Sequence, residues 1–134
     1  MPSKTLLFIK PDAVKRNLIG EIIKRIENAG FKVTALEMKK LSSKRTKEFY
    51  KIHKDKPFFN QLVKSIANKP IVGMILEKKS AVMSLREFIG TTNPKKAKKG
   101  SIRADFGLDV TRNSVHASDS PKNAKIETKI FFKK

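Results

Sequence analysis

The amino-acid sequence predicts a single domain of the α/β sandwich class, and three observations lead to this fold class. Short apolar segments typical of buried strands alternate with amphipathic segments typical of helices. The chain has 134 residues, a common size for one domain with one hydrophobic core. Neither an internal repeat nor a linker divides it. We therefore expect residues 1–134 to form one domain with a β-α-β-β-α-β core and additional helices.

The first strand and the first helix are predicted near the N-terminus. Thr5–Ile9 is a short apolar run, which is typical of a buried strand. Pro11 and Asp12 favour a helix start, and apolar residues then recur every three or four positions from Ala13 to Ala29. We expect one continuous helix there, ended by Gly30.

The middle of the chain continues this alternation. Phe31–Leu41 alternates apolar and polar residues and predicts a half-exposed second strand. Ile71–Leu76 is apolar throughout and predicts a buried third strand. Helices are expected on either side of this third strand, in the following segments: Ser42 or Ser43 to about Lys54, Phe58–Ala67 and Ala81–Ile89.

Periodicity is lost in the last third of the chain. Thr91–Arg112 contains two glycines, a proline and a lysine cluster, and we expect a long loop of the kind that is usually functional or disordered. Ser114–His116 follows as a short fourth strand. Pro121 then lies at the favoured first position of a last helix, which is predicted to run to about Lys129.

Positive charge dominates the composition. Lysine and arginine number 31 against 12 acidic residues, which gives a formal net charge of +19. Such a charge attracts polyanions, including nucleic acids, anionic membranes and nucleotides, but a lysine-rich surface also occurs for solvation alone. The chain has no cysteine, so disulfides and thiolate metal sites are excluded.

The apolar segments are all short. No run approaches the roughly 20 residues that span a bilayer, so we expect no membrane association through a helix. The apolar run Leu6–Ile9 has only four residues and leads straight into a helix start, which is not the pattern of a signal peptide. We expect a cytoplasmic protein.

His116 is the first candidate for chemistry, and it lies in the segment RNSVHASDS. Imidazole titrates near neutrality, so its free nitrogen is a nucleophile at pH 7 when a partner holds the other nitrogen. Glu127, eleven residues later in the last predicted helix, is a candidate for this partner. The alternatives are a hydrogen-bonded structural histidine and one half of a two-residue metal site, although the absence of cysteine gives metal binding little support. The other histidine, His53, lies among lysines and is expected at the surface.

Several further side chains are suited to holding an anion. Arg86, Arg103 and Arg112 fall in the region that also carries His116, and guanidinium groups match phosphate oxygens in a bidentate manner. A solvated surface is the alternative for Arg112. Other candidate donors are the hydroxyls of Tyr50, Thr91 and Thr92 and the ammonium of Lys10, which directly follows the first strand.

Five motifs are distributed along the chain. They are Lys10-Pro11-Asp12, Arg86-Glu87, Thr91-Thr92-Asn93-Pro94, Ile102-Arg103-Ala104-Asp105-Phe106, and the segment from Arg112 to Ser120. In this order and spacing they together resemble the nucleoside diphosphate kinase family, and the resemblance covers essentially the whole chain.

This resemblance implies a fold and a reaction. The fold is a ferredoxin-like α/β sandwich with a four-stranded antiparallel sheet. The reaction is a ping-pong transfer in which a nucleoside triphosphate gives its γ-phosphoryl group to His116 and a nucleoside diphosphate then takes it, with broad tolerance of base and sugar. Mg²⁺ is implied as the cofactor, carried mainly by the nucleotide phosphates, with Asp119 as a candidate ligand. A homo-oligomer is implied, with a hexamer favoured over a tetramer.

The resemblance also implies roles for individual residues. Glu127 matches the acid that orients the imidazole, with Ser118 in the same network. The positions that hold phosphates are matched by Lys10, Tyr50, Arg86, Thr92 and Arg103, and those near the sugar hydroxyls by Lys10 and Asn113. Phe58 matches the aromatic residue that stacks on the base, with Leu62 and Val110 as apolar neighbours. From the sequence alone, a core position for Phe58 beside Phe59 is the alternative.

Two residues depart from the family pattern. Ala117 replaces the usual glycine after the histidine, and we expect that position to require only a small side chain. Lys99 stands where a proline often stiffens a loop used in subunit contacts. The charge is also high for this family, so we expect nucleic acids to bind only as a secondary, salt-sensitive interaction. A basic nucleic-acid-binding protein and a catalytically silent scaffold are the alternative functions.

Overall fold

Four strands form one antiparallel sheet in the computed structural model, which describes residues 2–133. The order across the sheet is β2-β3-β1-β4, so β1 is central and β2 lies at an edge. The four-stranded antiparallel sheet that the resemblance implied is confirmed. The strands are β1 (Pro2–Ile9), β2 (Lys32–Lys40), β3 (Pro70–Lys79) and β4 (Val115–Ala117).

Seven helices surround the sheet in the described part of the chain. They are α1 (Pro11–Lys15), α2 (Ile19–Asn28), α3 (Ser43–Phe49), α4 (Phe59–Ile66), α5 (Ala81–Ile89), α6 (Ile102–Phe106) and α7 (Pro121–Phe131). Short 3-10 turns lie at Lys51–His53 and Pro94–Lys96. None of the helices within residues 2–133 has the length and apolarity that crossing a bilayer requires.

The sheet is covered on both faces, which explains the unbroken apolar run of β1. Leu7 and Ile9 face a cluster that includes apolar residues of α2 and α5. Leu6 and Phe8 face the opposite cluster, to which α3, α4 and α7 contribute. All four side chains are fully buried. Since successive side chains of a strand point to opposite faces, a strand buried on both sides must be apolar at every position.

The single helix expected from Ala13 to Ala29 is wrong, because the chain forms α1 and α2 with a turn between them. Asn17 has a φ of +61° in this turn, a left-handed conformation that asparagine adopts more readily than most residues. Apolar residues keep a helix-like spacing through the turn because both helices face one core, with Ala13 of α1 and Ile22 of α2 packed in the same cluster. Periodicity therefore could not reveal the break.

The long loop expected over residues 91–112 is also wrong in part, because it contains α6 and a 3-10 turn. Ser101 caps α6 by accepting a hydrogen bond from the Ala104 amide at 3.2 Å. Five residues are too few to show helical periodicity. The last strand begins one residue later than expected, since Ser114 has a φ of +79° and cannot continue a strand. The helix after β2 ends at Phe49 rather than near Lys54.

A glycine-to-alanine pair tests the packing of α7 against the sheet. A Cβ atom added at Gly73 would lie 2.3 Å from the Phe131 ring, so Gly73→Ala should lower the free energy of unfolding by about 1–3 kcal/mol. At Gly20, in α2, such a Cβ would meet no atom of residues 2–133 within 4 Å other than its chain neighbours and the backbone of its own helix. Gly20→Ala should therefore not destabilise the protein. Urea unfolding measures both variants. Equal losses would contradict the close contact with Phe131.

Candidate active site

One cavity of about 380 Å³ collects nearly all of the site residues predicted from the sequence. It lies at the C-terminal end of β1 and along β4, between α3, α4 and α5 and the segment that follows α6. The predicted residues that line it are Lys10, Tyr50, Phe58, Leu62, Arg86, Thr92, Arg103, Val110, Asn113, His116, Asp119 and Glu127. Ser118 is fully buried and contacts Glu127 behind the cavity wall. Arg112 is exposed and pairs with Asp109 at 2.8 Å, so it is a surface residue.

His116 lies in the middle of β4 and is held at one nitrogen. Its Nε2 is 2.7 Å from Oε1 of Glu127, on α7. The Ser118 hydroxyl donates to the same oxygen at 2.7 Å. Glu127 is buried. Because a carboxylate oxygen can only accept hydrogen bonds, the ring nitrogen that contacts it must donate one. We therefore assign the proton to Nε2, which leaves Nδ1 with a free lone pair.

The surroundings of His116 favour its neutral form. Burial lowers the pKa of the imidazole below 6.5, and the charges of Lys10 and Arg103 lower it further. The hydrogen bond and charge of Glu127 act in the opposite direction and raise the pKa. Because burial is the largest of these effects, the ring is neutral at pH 7 and its lone pair is available.

Two guanidinium groups are fixed beside β4 by backbone carbonyls. Arg103 is buried and donates from Nη2 to Val115 O at 2.9 Å and from Nη1 to Gly90 O at 3.1 Å. Burial, followed by the charge of Arg86, lowers the pKa of Arg103 to about 10. Arg86 donates to Ala117 O at 3.3 Å. Two cations are therefore anchored to the backbone carbonyls of the two residues that flank His116 in β4.

Two polar atoms in the cavity wall have no hydrogen-bond partner within residues 2–133. They are the hydroxyl of Tyr50 and the Nε of Arg103, and both are buried. Burial, together with the charge of Glu127, raises the pKa of Tyr50 well above its usual value, so this residue stays a hydroxyl donor. Buried donors without partners are costly, so both atoms are candidates to donate to a bound anion.

Lys10 is buried at the end of β1, next to the loop that follows α6. Its Nζ donates to Oδ1 of Asn113 at 2.9 Å and to Thr111 O at 3.2 Å. Burial, followed by the charge of Arg103, lowers the pKa of Lys10 from 10.5 to about 8. The sequence could not distinguish a cleft position from an exposed strand end, and the structure places this residue in the cleft.

The mouth of the cavity is apolar. Phe58 is 46% exposed and Val110 is 54% exposed, and Leu62 lies with them in the wall. A core position for Phe58 is therefore wrong. An exposed aromatic ring beside aliphatic side chains forms a platform for a planar group.

The surface position expected for His53 is also wrong. This residue is half-buried and lines the cavity, with its ring 5.7 Å from that of Phe58 and 6.4 Å from that of Tyr50. Sequence reasoning placed it on a lysine-rich helix, whereas α3 ends at Phe49 and a 3-10 turn directs His53 inward. The other lining residues that were not predicted are Phe49, Ile52, Thr111 and Ala117. Ala117 follows His116 in its motif, and the other three have no motif of their own.

Ala117 fits without strain. It lies in β4 and is buried, and its φ is not positive. The expectation that this position requires only a small side chain agrees with the structure.

The assigned direction of the His116 pKa can be tested by NMR titration. The pKa of His116 should lie below 6.5, and in Glu127→Gln it should fall further, because the carboxylate that favours the imidazolium is removed. Glu48→Gln removes the same charge from an exposed site on α3 and should leave the pKa of His116 unchanged. A higher pKa in Glu127→Gln would disprove the assigned contact.

Comparison with known proteins agrees with this geometry. The family model described as nucleoside diphosphate kinase matches residues 3–134. A nucleoside diphosphate kinase of Campylobacter lari is 50% identical over 131 residues, which cover 98% of this chain and 96% of that protein. Nucleoside diphosphate kinase 1 of Protochlamydia amoebophila is 50% identical over 130 residues, with coverages of 97% and 92%.

Solved structures show the same similarity in three dimensions. The nucleoside diphosphate kinase of Aquifex aeolicus has a TM-score of 0.95 at 38% identity, covering 98% of this chain and 96% of that chain. The Halobacterium salinarum enzyme, solved in complex with CDP, has a TM-score of 0.94 at 34% identity, with coverages of 100% and 90%. The chain therefore belongs to the nucleoside diphosphate kinase family, whose reaction, the ping-pong transfer of a γ-phosphoryl group between nucleotides through a phosphohistidine, is the reaction of this protein.

Proposed function

We propose that His116 is the residue that carries the phosphoryl group. The main support for this proposal is the hydrogen bond from His116 Nε2 to Glu127 at 2.7 Å. This bond leaves Nδ1 unprotonated in the wall of the cavity. The Nδ1 lone pair attacks the γ-phosphorus of a nucleoside triphosphate, and the bond from that phosphorus to the bridging oxygen breaks. A β-phosphate oxygen of a second nucleoside diphosphate then attacks the same phosphorus, and the P–N bond breaks.

The cations of the cavity supply the charge stabilisation in this proposal. Phosphoryl transfer asks a protein mainly for alignment and for neutralisation of the equatorial oxygens. Arg86 and Arg103 are anchored next to His116, and Lys10 is buried across the cavity. The unpartnered hydroxyl of Tyr50 and the hydroxyl of Thr92, which also lines the cavity, are the further phosphate donors.

The nucleoside is assigned to the apolar mouth. Lys10 and Asn113 contact each other at 2.9 Å and would hold the sugar hydroxyls, and the exposed ring of Phe58 would stack on the base between Leu62 and Val110. Stacking uses the π-face that every base has, which supports broad base tolerance. The halobacterial relative binds CDP, which supports a nucleoside diphosphate as the ligand.

Mg²⁺ is proposed to arrive on the nucleotide rather than in a protein cage. Within residues 2–133, no three His, Cys, Asp or Glu side chains cluster so as to hold a metal ion. The carboxylates that line the cavity are Asp119 and Glu127, and Glu127 is engaged by His116. Asp119 accepts a hydrogen bond from Asn123 at 2.6 Å and is the one available to contact a bound Mg²⁺, which would neutralise phosphate charge.

A homo-oligomer is proposed, with a hexamer favoured over a tetramer. The edge strand β2 leaves Leu36 and Met38 more than half exposed, and an uncovered apolar edge strand favours pairing with another chain. Lys99, in place of a stiffening proline, weakens the expected subunit contact. Native mass measurement tests the subunit number.

The remaining proposals concern the context of the enzyme. We infer that residues 1–134 act as one catalytic domain and that the protein works in the cytoplasm. The net charge of +19 supports fast encounter with anionic nucleotides and a secondary, salt-sensitive attraction to nucleic acids.

The acceptor assignment predicts the outcome of a labelling experiment. Incubation with ATP labelled at the γ-phosphate should produce an acid-labile, base-stable label on the protein. The label should be absent from His116→Ala and present on His53→Ala, because only His116 is the acceptor, whatever the effect of His53 on the rate. Label on His116→Ala would disprove the assignment.

The labelling experiment, combined with a nucleic-acid binding assay, separates the alternative functions. A nucleic-acid-binding protein would show a steeply salt-dependent affinity for DNA or RNA that His116→Ala leaves unchanged, and no label. A catalytically silent scaffold would show neither label nor turnover.

The buried amine predicts an alkaline limit for catalysis. Because the pKa of Lys10 is about 8, its positive charge is lost as the pH rises through that value. The second-order rate constant for free enzyme and ATP should therefore fall above about pH 8, since this constant reports the groups of the free enzyme. Lys10→Met should be slower and lose this inflection.

The control for this profile is Lys122→Met, which removes an exposed charge from α7. It should keep the inflection near pH 8. An identical alkaline limit in Lys10→Met would assign the limit to another group.

A further inference from the structure

His116 belongs to a row of side chains that crosses the sheet. In the strand register, Phe8 of β1 pairs with His116 of β4 on one side and with Gly73 of β3 on the other. Residues directly opposite each other on neighbouring strands point to the same face, and their Cβ atoms lie about 4.5–5.5 Å apart. The register alone therefore places the Phe8 ring beside the imidazole.

The rings in this row are nearly parallel. Those of Phe8 and His116 have centroids 4.9 Å apart and planes inclined by 18°. Phe131, from the last turn of α7, stacks on the other side of Phe8 at 6.5 Å and 15°. Phe131 lies over Gly73, where any Cβ would be 2.3 Å from its ring. The order is thus imidazole, Phe8 and Phe131, and the absence of a side chain at Gly73 makes room for the third ring.

Two further aromatic rings meet the imidazole at its sides. Phe49 lies 5.1 Å away at 69°, and Tyr50 lies 5.5 Å away at 89°, so both are roughly perpendicular to it. Phe8 and Phe49 are buried. Within this enclosure, Phe8 is the ring that faces the plane of His116.

One hydrogen bond does not fix the orientation of an imidazole. The contact from Nε2 to Glu127 holds one atom, but rotation about the bond between Cβ and the ring is soft, because this torsion has broad minima. The direction of the Nδ1 lone pair depends on that rotation. Transfer of a phosphoryl group to His116 requires the Nδ1 lone pair to point at the attacked phosphorus, and a small misplacement of the ring lowers the rate strongly. A second constraint on the ring plane is therefore needed.

We propose that Phe8 is a positioning residue for the phosphoryl transfer, with its ring fixing the plane of His116 and with Phe131, seated over Gly73, holding Phe8 in place. The proposal rests on His116 being the acceptor. Phe8 is fully buried and does not line the cavity, so it has no contact through which to bind a nucleotide. Its effect reaches the substrate only through the imidazole.

The test compares two phenylalanine-to-leucine variants. Phe8→Leu removes the stacked ring, and Phe31→Leu removes a buried ring from the opposite face of the sheet. In single-turnover experiments with saturating ATP, Phe8→Leu should phosphorylate His116 about tenfold more slowly, with its nucleotide dissociation constant unchanged within about twofold. Phe31→Leu should stay within about twofold of the unsubstituted rate, even if urea unfolding shows that it loses as much stability.

A measurement on the unsubstituted protein keeps the test independent of variant folding. Ring protons of His116 that lie over the face of Phe8 should be shifted upfield by its ring current, and Phe8→Leu should abolish that shift. An unshifted resonance in the unsubstituted protein would overturn the stacked geometry.

The possible failures are distinguishable. If the unsubstituted protein takes no label on His116, the proposed acceptor fails. If it is labelled but Phe8→Leu reacts as fast, or Phe31→Leu is slowed equally, the positioning role of Phe8 fails alone. A rise in the nucleotide dissociation constant that accounts for the whole loss would also overturn it, since Phe8 would then act through binding.

Discussion

The hydrogen bond between Nε2 of His116 and Glu127 is the interaction on which the site depends, because it decides which nitrogen is free. It joins the shortest strand of the sheet to the last helix, and Ser118 donates to the same carboxylate oxygen. A buried carboxylate without partners would be costly. With the ring and the hydroxyl as donors, Glu127 is satisfied inside the protein and its position is fixed. The fold therefore stabilises the reactive tautomer and the packing of α7 through the same contact.

The cavity concentrates positive charge that the protein itself leaves largely uncompensated. Lys10 and Arg103 are both buried, and burial lowers the pKa of each, to about 8 and about 10 respectively. Their hydrogen bonds go to carbonyl and amide oxygens rather than to carboxylates. An electrostatic site arranged before the ligand arrives needs little reorganisation during the reaction. In the proposed function, phosphate groups entering the cavity would restore the stability that folding loses by burying these cations.

Much of this arrangement is predictable from the sequence, and the exceptions have physical causes. The succession of strands and helices follows from apolar patterns, and the predicted side chains that line the cavity, including Lys10 and Glu127, belong to or match family motifs in the chain. The left-handed turn at Asn17 is hidden because both flanking helices face one core. His53 reaches the cavity through a change of helix type that lysine-rich composition conceals. The stack of Phe8 on His116 depends on the register between strands more than 100 residues apart, which no local pattern encodes.

The depressed pKa of Lys10 also gives this residue an unusual chemical reactivity. Near pH 8 about half of its amine is unprotonated, whereas an ordinary lysine with a pKa of about 10.4 is almost wholly an ammonium ion. A neutral amine attacks aldehydes and activated esters, and an ammonium ion does not. An electrophile small enough to enter the cavity would therefore modify Lys10 in preference to lysines with an ordinary pKa, and a ligand filling the cavity would shield it.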